Sequence, residues 1–368
     1  MKKTLALLLT ALPLLCGCEY DFPLKSVGDE DRLTVVAAVN EDGTMFVDVE
    51  TTVPINKYAD GDKADTSLTK LELSVNGRPC ALVRQDSLYK ESSLSGNRFW
   101  KSVEPIRPGD EVEIAAKGAS TKEVSSSFTM PSAPVISSIE SGVHVSELSD
   151  LADYGLFDVR VKSQYFKVRI ADASDEDYYG IRLLRERNST FIYENGEVNN
   201  TTQTSYEEIQ DSESGSSAIQ YGTNRFFCAD YDGITANRYT YPNGTYLFPG
   251  SILRDGAVEF ISYYYPSGDF KREQSYWEQD PDTGEYHEYK VKYRLIEKIS
   301  YRIQLYKVSP ELYHYCRSLY MIDNNLFAEV GLSPSNFSYT NITGGFGVLG
   351  GLSATQSDWI PAPVEEKE

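Results

Sequence analysis

The chain has 368 residues, 40% of them hydrophobic, and it carries 55 acidic against 35 basic side chains, for a net charge of −20. This length is enough for two domains that each bury a core. Because an acidic surface repels phosphate groups, the charge argues against a nucleic-acid partner and against binding to anionic lipid through a basic patch. The acidic residues are spread along the chain, which is typical of a solvated outer surface.

The start of the chain has the pattern of a secretion signal. A positive residue, Lys2, precedes an apolar run over residues 4–15 that is too short to span a bilayer, and the small residue Gly17 stands directly before Cys18. The stretch around this cysteine resembles the lipobox of a bacterial lipoprotein. The resemblance predicts a signal peptide over residues 1–17 and fatty-acyl chains, palmitate among them, on Cys18.

Residues 18–31 are predicted to form a tether that reaches about 45 Å when extended. Each buried methylene of the acyl chains contributes ~0.8 kcal/mol, so several chains together hold the protein at a membrane. Glu19 and Asp21 resemble the acidic signal that displays lipoproteins of the Bacteroidota on the cell surface, although an ordinary polar linker explains them equally well. We therefore expect an outer-membrane protein anchored through Cys18, with the cell-surface face favoured. Cys16 is the rival anchor, but a bulky residue precedes it.

Short β-type runs alternate with turn residues between residues 32 and 132. The dipeptide Asn76-Gly77 is the strongest hairpin signal among them, and no helical period competes with the strands. Seven short strands in roughly 100 residues are typical of an immunoglobulin-like β-sandwich. The predicted strands cover residues 32–40, 45–52, 68–75, 79–83, 97–103, 110–117 and 121–129.

A proline-containing break at residues 131–134 predicts an interdomain joint. The composition changes across it, because 24 of the 27 tyrosines follow the break, which separates a second region from the first. Residues 136–368 are predicted to form a larger, mostly antiparallel β domain. Within it, hairpins are expected at residues 191–198 and around a turn at residues 281–284, and apolar alternation over residues 299–305 predicts a strand with one buried face.

One helix is predicted in the second domain, near residues 310–323. Ser309 is a favourable N-cap, and Pro310 fits the first helical position. Leu312 and Cys316 belong to an apolar stripe at helical spacing, which we expect to pack on the sheet. The predicted fold class is therefore all-β, with an immunoglobulin-like β-sandwich followed by a larger β domain that contains one short helix.

Five segments of the chain form a recognisable set, and the closing one is the most specific. They are residues 51–54, Asp172 with the pair Tyr178-Tyr179, and residues 309–315, 326–330 and 339–350. Together they resemble the Bacteroidota lipoproteins classed as domain of unknown function 4249. The resemblance implies an outer-membrane lipoprotein, often encoded beside a TonB-dependent transporter, and it implies no catalytic residue.

Residues 345–350 match the pattern G-x-G-x-x-G of dinucleotide-binding loops. That function needs a long helix after the glycines and an acidic ribose contact about 20 residues further on. Only 18 residues follow Gly350, and two prolines are among them. We therefore interpret the glycines as positions of positive φ or close backbone approach where the final strand docks, and we expect no cofactor.

Other catalytic or metal-binding patterns are weak. The histidines His144, His287 and His314 are far apart and lack metal-ligand spacing, so we predict neither a catalytic residue nor a metal ligand. The acidic run at residues 172–177 is interpreted as a solvated turn, with a calcium site as the alternative. The cysteines are interpreted as small buried side chains, and one bridge between Cys228 and Cys316 is left open.

Tyrosines are the candidate binding residues. Tyr263, Tyr265, Tyr276 and Trp277 lie close together along the chain, and a strand would place Tyr263 and Tyr265 on one face. Aromatic rings with hydroxyl groups suit the recognition of a ligand or a partner protein, although half-buried strand positions are the alternative interpretation.

The leading hypothesis is a non-enzymatic surface lipoprotein of the outer membrane. It captures a ligand for a TonB-dependent transporter, or covers the transporter's mouth, while the first domain acts as a spacer or a docking module. An adhesive or structural surface protein is the first alternative, and a hydrolase with an unrecognised site is the second.

Overall fold

The computed structural model describes eight parts of the chain, namely residues 30–52, 67–85, 99–147, 160–211, 227–228, 245–281, 283–323 and 338–364. The predicted signal peptide, Cys18 and nearly all of the predicted tether lie outside these parts, as does the family segment at residues 326–330. In the described parts, no helix has the length and apolar character needed to cross a membrane.

Strands form most of the described structure, and the fold is all-β with one short α-helix in the described ranges, as the sequence predicts. The first eight strands are β1 (Arg32–Val39), β2 (Met45–Thr52), β3 (Leu68–Val75), β4 (Arg78–Cys80), β5 (Leu82–Arg84), β6 (Phe99–Ser102), β7 (Glu111–Gly118) and β8 (Val124–Thr129). They are followed by β9 (Val135–Glu147), β10 (Arg160–Ala171), β11 (Tyr178–Tyr193), β12 (Val198–Glu207), β13 (Gln210–Asp211), β14 (Phe227–Cys228), β15 (Tyr246–Pro249) and β16 (Ala257–Tyr263). The last elements are β17 (Gly268–Gln279), β18 (Tyr286–Val308), α1 (Pro310–Asp323), β19 (Phe346–Gln356) and β20 (Ile360–Pro361).

The first eight strands form two sheets around a common core. Strands β1, β2, β6 and β5 are neighbours in one sheet, and β4, β3, β7 and β8 form the other. Side chains from both sheets meet between them, among them Val35, Val47 and Ile114, which are almost fully buried. This part is a β-sandwich, and its immunoglobulin-like character stays a prediction. The predicted strands are found close to their predicted bounds, with one exception.

The exception is the predicted strand at residues 79–83, which is two strands in different sheets. β4 ends at Cys80 and pairs with β3, whereas β5 begins at Leu82 and pairs with β6. The carbonyl of Ala81 accepts the amide of Val103 at 2.9 Å, so the chain changes sheets at Ala81. The β-type run continues across this crossing, which is why the sequence predicts one strand there.

A second β-sandwich follows the proline-containing break. Its larger sheet is built on the long strands β11 and β18, and the sheet β13-β16-β10-β9 covers one face of it. Phe166, Phe260 and Tyr301 are fully buried between these sheets. The alternate residues 299, 301, 303 and 305 of β18 are buried, which confirms the predicted one-sided strand. Both predicted hairpins are present as β11–β12 and β17–β18.

One strand joins the two sandwiches. β19 pairs in parallel with β1, with Val348 opposite Val36, and it pairs antiparallel with β18. A single 12-stranded sheet therefore passes through both regions. The proposed domain bounds of 32–132 and 136–368 stay a prediction, and this sheet crosses the boundary between them.

Helix α1 packs on the face of the shared sheet at this junction. Leu312 and Cys316 are 1% and 5% exposed and lie in one apolar cluster with Val348 and Tyr306. The hydroxyl of Ser309 accepts the amide of Leu312 at 3.3 Å, which caps the helix. The predicted N-cap and apolar stripe are both confirmed.

Candidate functional site

The glycines of residues 345–350 allow strand β19 to pack closely against its neighbours. Gly347 has a φ of +101°, and a Cβ added there would lie 2.0 Å from the carbonyl oxygen of Val35. A Cβ on Gly350 would lie 2.8 Å from the hydroxyl of Ser309. The segment forms strand β19, and the short strand β20 comes next. The structural interpretation of these glycines is confirmed, and they do not form the strand-to-helix turn of a dinucleotide-binding loop.

Two polar side chains complete this junction. The side-chain amide of Asn341 donates to the carbonyl of Leu349 at 2.8 Å, and its oxygen accepts the amide of Leu349 at 2.9 Å. The hydroxyl of Ser309, besides capping α1, accepts the amide of Gly351 at 3.2 Å. Residues 309–315 and 339–350, two of the segments that carry the family resemblance, therefore build the junction of the two sandwiches.

Aromatic rings from three family segments meet beside α1. Tyr178 stacks on Tyr313 with ring centroids 4.2 Å apart, and its hydroxyl lies 3.2 Å from Nε2 of His314. The ring of Tyr339 lies 5.5 Å from the imidazole. Burial lowers the pKa of His314, which favours the neutral imidazole at pH 7. This cluster ties β11 and α1 to the closing segment.

The acidic run at residues 172–177 precedes the tyrosine pair and forms a turn. Asp177 forms an ion pair with Lys307 at 2.7 Å and accepts the hydroxyl of Tyr179 at 3.2 Å. Burial, with the charge of Asp177 nearby, raises the pKa of Tyr179 to about 12, so the phenol stays a donor. Within the described residues, no group of three or more His, Cys, Asp or Glu side chains could hold a metal ion.

The described cysteine side chains are buried thiols. Cys80 and Cys316 are both free, so Cys316 forms no bridge to Cys228 in this structure. Burial raises the pKa of Cys316 to about 12, which suppresses the reactive thiolate. The interpretation of these two residues as small buried side chains is confirmed.

A buried arginine lies where the first sandwich meets the second. Arg182 is 5% exposed, and its guanidinium lies 4.6 and 5.7 Å from the ring centres of Tyr206 and Tyr306. The hydroxyl of Tyr306 donates to Glu41 at 2.9 Å, and Glu41 belongs to the turn between β1 and β2. Burial raises the pKa of Tyr306, so it remains a donor. This charge-assisted hydrogen bond joins the two sandwiches a second time.

Two of the predicted binding residues, Tyr263 and Tyr265, lie beside the second core. Tyr263 is 50% exposed, and its hydroxyl donates to Glu208 at 3.3 Å. β16 ends at Tyr263, so strand alternation does not relate it to Tyr265. Tyr265 packs against the core, and the guanidinium of Arg185 lies 3.7 Å from its ring centre. Arg185 also pairs with Glu207 at 3.2 Å, so Tyr265 is part of a packed polar cluster.

The other two, Tyr276 and Trp277, lie on a hairpin that extends past the sandwich. β11 ends opposite Tyr293 of β18, so residues 273–292 form a two-stranded projection, which we call the arm. Nearly every described residue of the arm is exposed to solvent. The seven paired residues in each strand make it about 24 Å long at the usual rise per residue.

Four aromatic side chains are concentrated near the tip of the arm. Tyr276, Trp277, Tyr286 and Tyr289 are 46%, 64%, 62% and 45% exposed. Tyr276 and Tyr289 face each other across the ladder and stack with ring centroids 5.5 Å apart. Alternation places Trp277 and Tyr286 on the opposite face. The arm therefore carries exposed rings on both of its faces.

Sequence reasoning selected Tyr276 and Trp277 but missed Tyr286 and Tyr289. A signal for them was present, because the predicted turn at residues 281–284 determines which residues of the two strands are neighbours. Pairing the strands outward from that turn brings Tyr289 to Tyr276. The predicted hairpin was sufficient to extend the candidate set from two rings to four.

Charge is segregated along the arm. Residues 276–289, which we call the tip, include all four rings, five acidic side chains and neither Lys nor Arg. Nearer the sandwich, Glu273 lies 3.8 and 3.7 Å from the ammonium groups of Lys290 and Lys292. In the described part of the chain, the glutamates at positions 278, 285 and 288 take part in no ion pair. The tip is therefore acidic and aromatic at once.

These features define an all-β protein of two sandwiches, in which a closing strand locks the sandwiches together and an arm presents aromatic and acidic side chains. The chain belongs to the family described as Domain of unknown function (DUF4249), whose model matches residues 18–358. No curated protein and no solved structure matches the chain. The matched range includes both sandwiches, the junction and the arm.

Proposed function

We propose that the protein is a non-enzymatic surface lipoprotein of the outer membrane that serves a TonB-dependent transporter as an accessory or ligand-capturing subunit. One observation carries the proposal, namely the four rings of the arm, which are each 45% to 64% exposed. Aromatic residues are enriched in protein interfaces and at their energetic centres. Because an isolated two-stranded hairpin is only marginally stable in water, the arm is better suited to binding than to stabilising the fold.

The anchor supports the choice of a membrane partner. Cys18 and the resemblance of its surroundings to a lipobox favour lipid attachment, and the tether of residues 18–31 reaches about 45 Å when extended. A protein held in this way shares one membrane with its partner, which raises their effective concentration. The setting that the family resemblance implies, beside a TonB-dependent transporter, supports the same partner.

Co-purification tests the proposal. The tagged full-length protein is extracted from outer membranes in mild detergent, and we expect a TonB-dependent transporter to elute with it in a defined ratio. The variant Cys18→Ser is the control for membrane attachment, and we expect it to lose both the membrane and the transporter. A protein that migrates alone, and whose deletion leaves nutrient uptake intact, would contradict the proposal.

A second candidate function is that of an adhesive or structural surface protein. The observation that favours it is the shared 12-stranded sheet, because continuous hydrogen bonding resists bending between the two sandwiches, as a stalk requires. Binding to host or matrix polymers, without transporter association, would favour this function over the first.

A further inference from the structure

The two-sided placement of the rings restricts how the arm binds. Tyr276 and Trp277 are consecutive strand residues, so their side chains leave the ribbon in opposite directions. Tyr289 lies opposite Tyr276 on the first face, and Tyr286 lies on the second face opposite Gln279, three positions nearer the turn. A ribbon that lies flat on a partner contacts it through one face only. Exposed rings on both faces, within about 10 Å along the ribbon, fit a partner that encloses the tip.

The charge of the tip indicates the chemistry of this partner. Five acidic residues lie between the rings along the chain, and the segment 276–289 contains no Lys or Arg. The lysines at positions 290 and 292 begin directly behind it and lie near Glu273. A partner surface that encloses the tip must therefore supply positive charge, because buried carboxylates without partners are strongly unfavourable.

We propose that the tip of the arm inserts into a cleft of a partner protein that contacts both faces of the ribbon and is lined with Lys and Arg. This inference rests on the proposed function for the identity of the partner, the transporter, and it adds the manner of binding. Pockets that enclose aromatic side chains are typical centres of binding energy. Complementary charge around them steers encounter and sets orientation.

Other occupants match the tip less well. A second copy of the chain has a net charge of −20, so it offers an acidic surface to an acidic tip. Anionic lipid and nucleic acid are repelled for the same reason. A cationic cleft in a different protein meets both the shape and the charge of the tip.

Photo-crosslinking in cells tests the two-sided contact. A photoreactive phenylalanine analogue replaces Tyr276 or Trp277, one on each face, in the full-length lipoprotein. Matched control positions are Val145 and Val198, which are 50% and 55% exposed on strands far from the tip in sequence. We expect both arm positions to form an adduct with the same polypeptide, at peptides rich in Lys or Arg, and at least fivefold less adduct from the control positions.

Charge reversal is the second experiment of the test. The triple variant Glu278→Lys, Glu285→Lys and Glu288→Lys, combined with each arm probe, is expected to reduce the adduct at least fivefold. The matched variant with Gln at these three positions is expected to give an adduct yield between that of the parent and that of the Lys variant. Thermal unfolding of both variants, followed by circular dichroism, is expected to match that of the parent, because these side chains are exposed.

Four outcomes overturn the inference: adducts from one face only, adducts with a second copy of the chain, no adduct from either face, or unchanged yield after charge reversal. The test also separates this inference from the proposed function. Two-sided adducts with a basic cleft in a protein other than a transporter support the inference and contradict the proposed function. A transporter that co-purifies without any tip adduct contradicts the inference alone.

Discussion

The junction of the two sandwiches makes a quantitative prediction for Gly347→Ala. The added Cβ would lie 2.0 Å from the carbonyl oxygen of Val35 and 2.7 Å from its carbon, so β19 must move away from β1. Gly109→Ala is the matched control. Gly109 also has a positive φ, +87°, but a Cβ added there would have no atom of the described residues within 4 Å.

The difference between the two variants measures the close packing of β19. A residue other than glycine in the left-handed region costs about 1–2 kcal/mol, and both variants bear this cost. Overpacking costs about 1–3 kcal/mol more, and only Gly347→Ala bears it. We therefore expect the free energy of unfolding to fall by about 1–2 kcal/mol in Gly109→Ala and by about 2–5 kcal/mol in Gly347→Ala.

Urea unfolding of the mature protein, followed by tryptophan fluorescence and linear extrapolation, measures both values. Similar slopes against urea in the two variants would show that the denatured states are comparable. An equal loss of stability in the two variants would refute the close approach of β19 to β1, and with it the locking of the two sandwiches by the closing segment.

Three further predictions concern the junction and the arm. Asn341→Ala removes the two hydrogen bonds to the backbone N–H and C=O of Leu349 and should lower the free energy of unfolding by about 1–3 kcal/mol, measured in urea. An unchanged free energy of unfolding would show that water replaces the side-chain amide. Burial lowers the pKa of His314 in the folded protein, whereas in the unfolded chain a histidine has its usual pKa of about 6.5. Around and below that pH the unfolded chain binds more protons than the folded protein, so stability should fall as pH falls through this range. His314→Gln should flatten that pH dependence, and an unchanged slope would assign it to other groups. Finally, Trp277→Ala should remove the fluorescence component most accessible to acrylamide, since Trp277 is 64% exposed; undiminished quenching would place the exposed indole elsewhere.

Local sequence patterns predicted the elements well, because those patterns act between near neighbours. The dipeptide Asn76-Gly77 joins β3 to β4, and Ser309 with Pro310 starts α1 where expected. The shared sheet depends on Val36 lying opposite Val348, a pairing between distant parts of the chain. The glycines of β19 indicated a close approach, but no local pattern identifies β1 as the strand approached.

The candidate site was predicted in part for a similar reason. Tyr276 and Trp277 were chosen for their residue type, and the structure places both on an exposed arm. Tyr265 was chosen on the same grounds, yet it packs on the core under Arg185. Whether a tyrosine on a β-rich chain is covered depends on tertiary contacts, and residue type alone does not determine it.

The central claim is that the arm binds the transporter, and a dissociation constant tests it most directly. The transporter recovered by co-purification is isolated and titrated with three proteins. They are the parent protein, the double variant Trp277→Ala and Tyr286→Ala, and Val145→Ala as a control at an exposed position. We expect the double variant to weaken binding by at least about tenfold, as removal of central aromatic residues does, and the control to leave it unchanged. Equal dissociation constants for all three proteins would contradict the account.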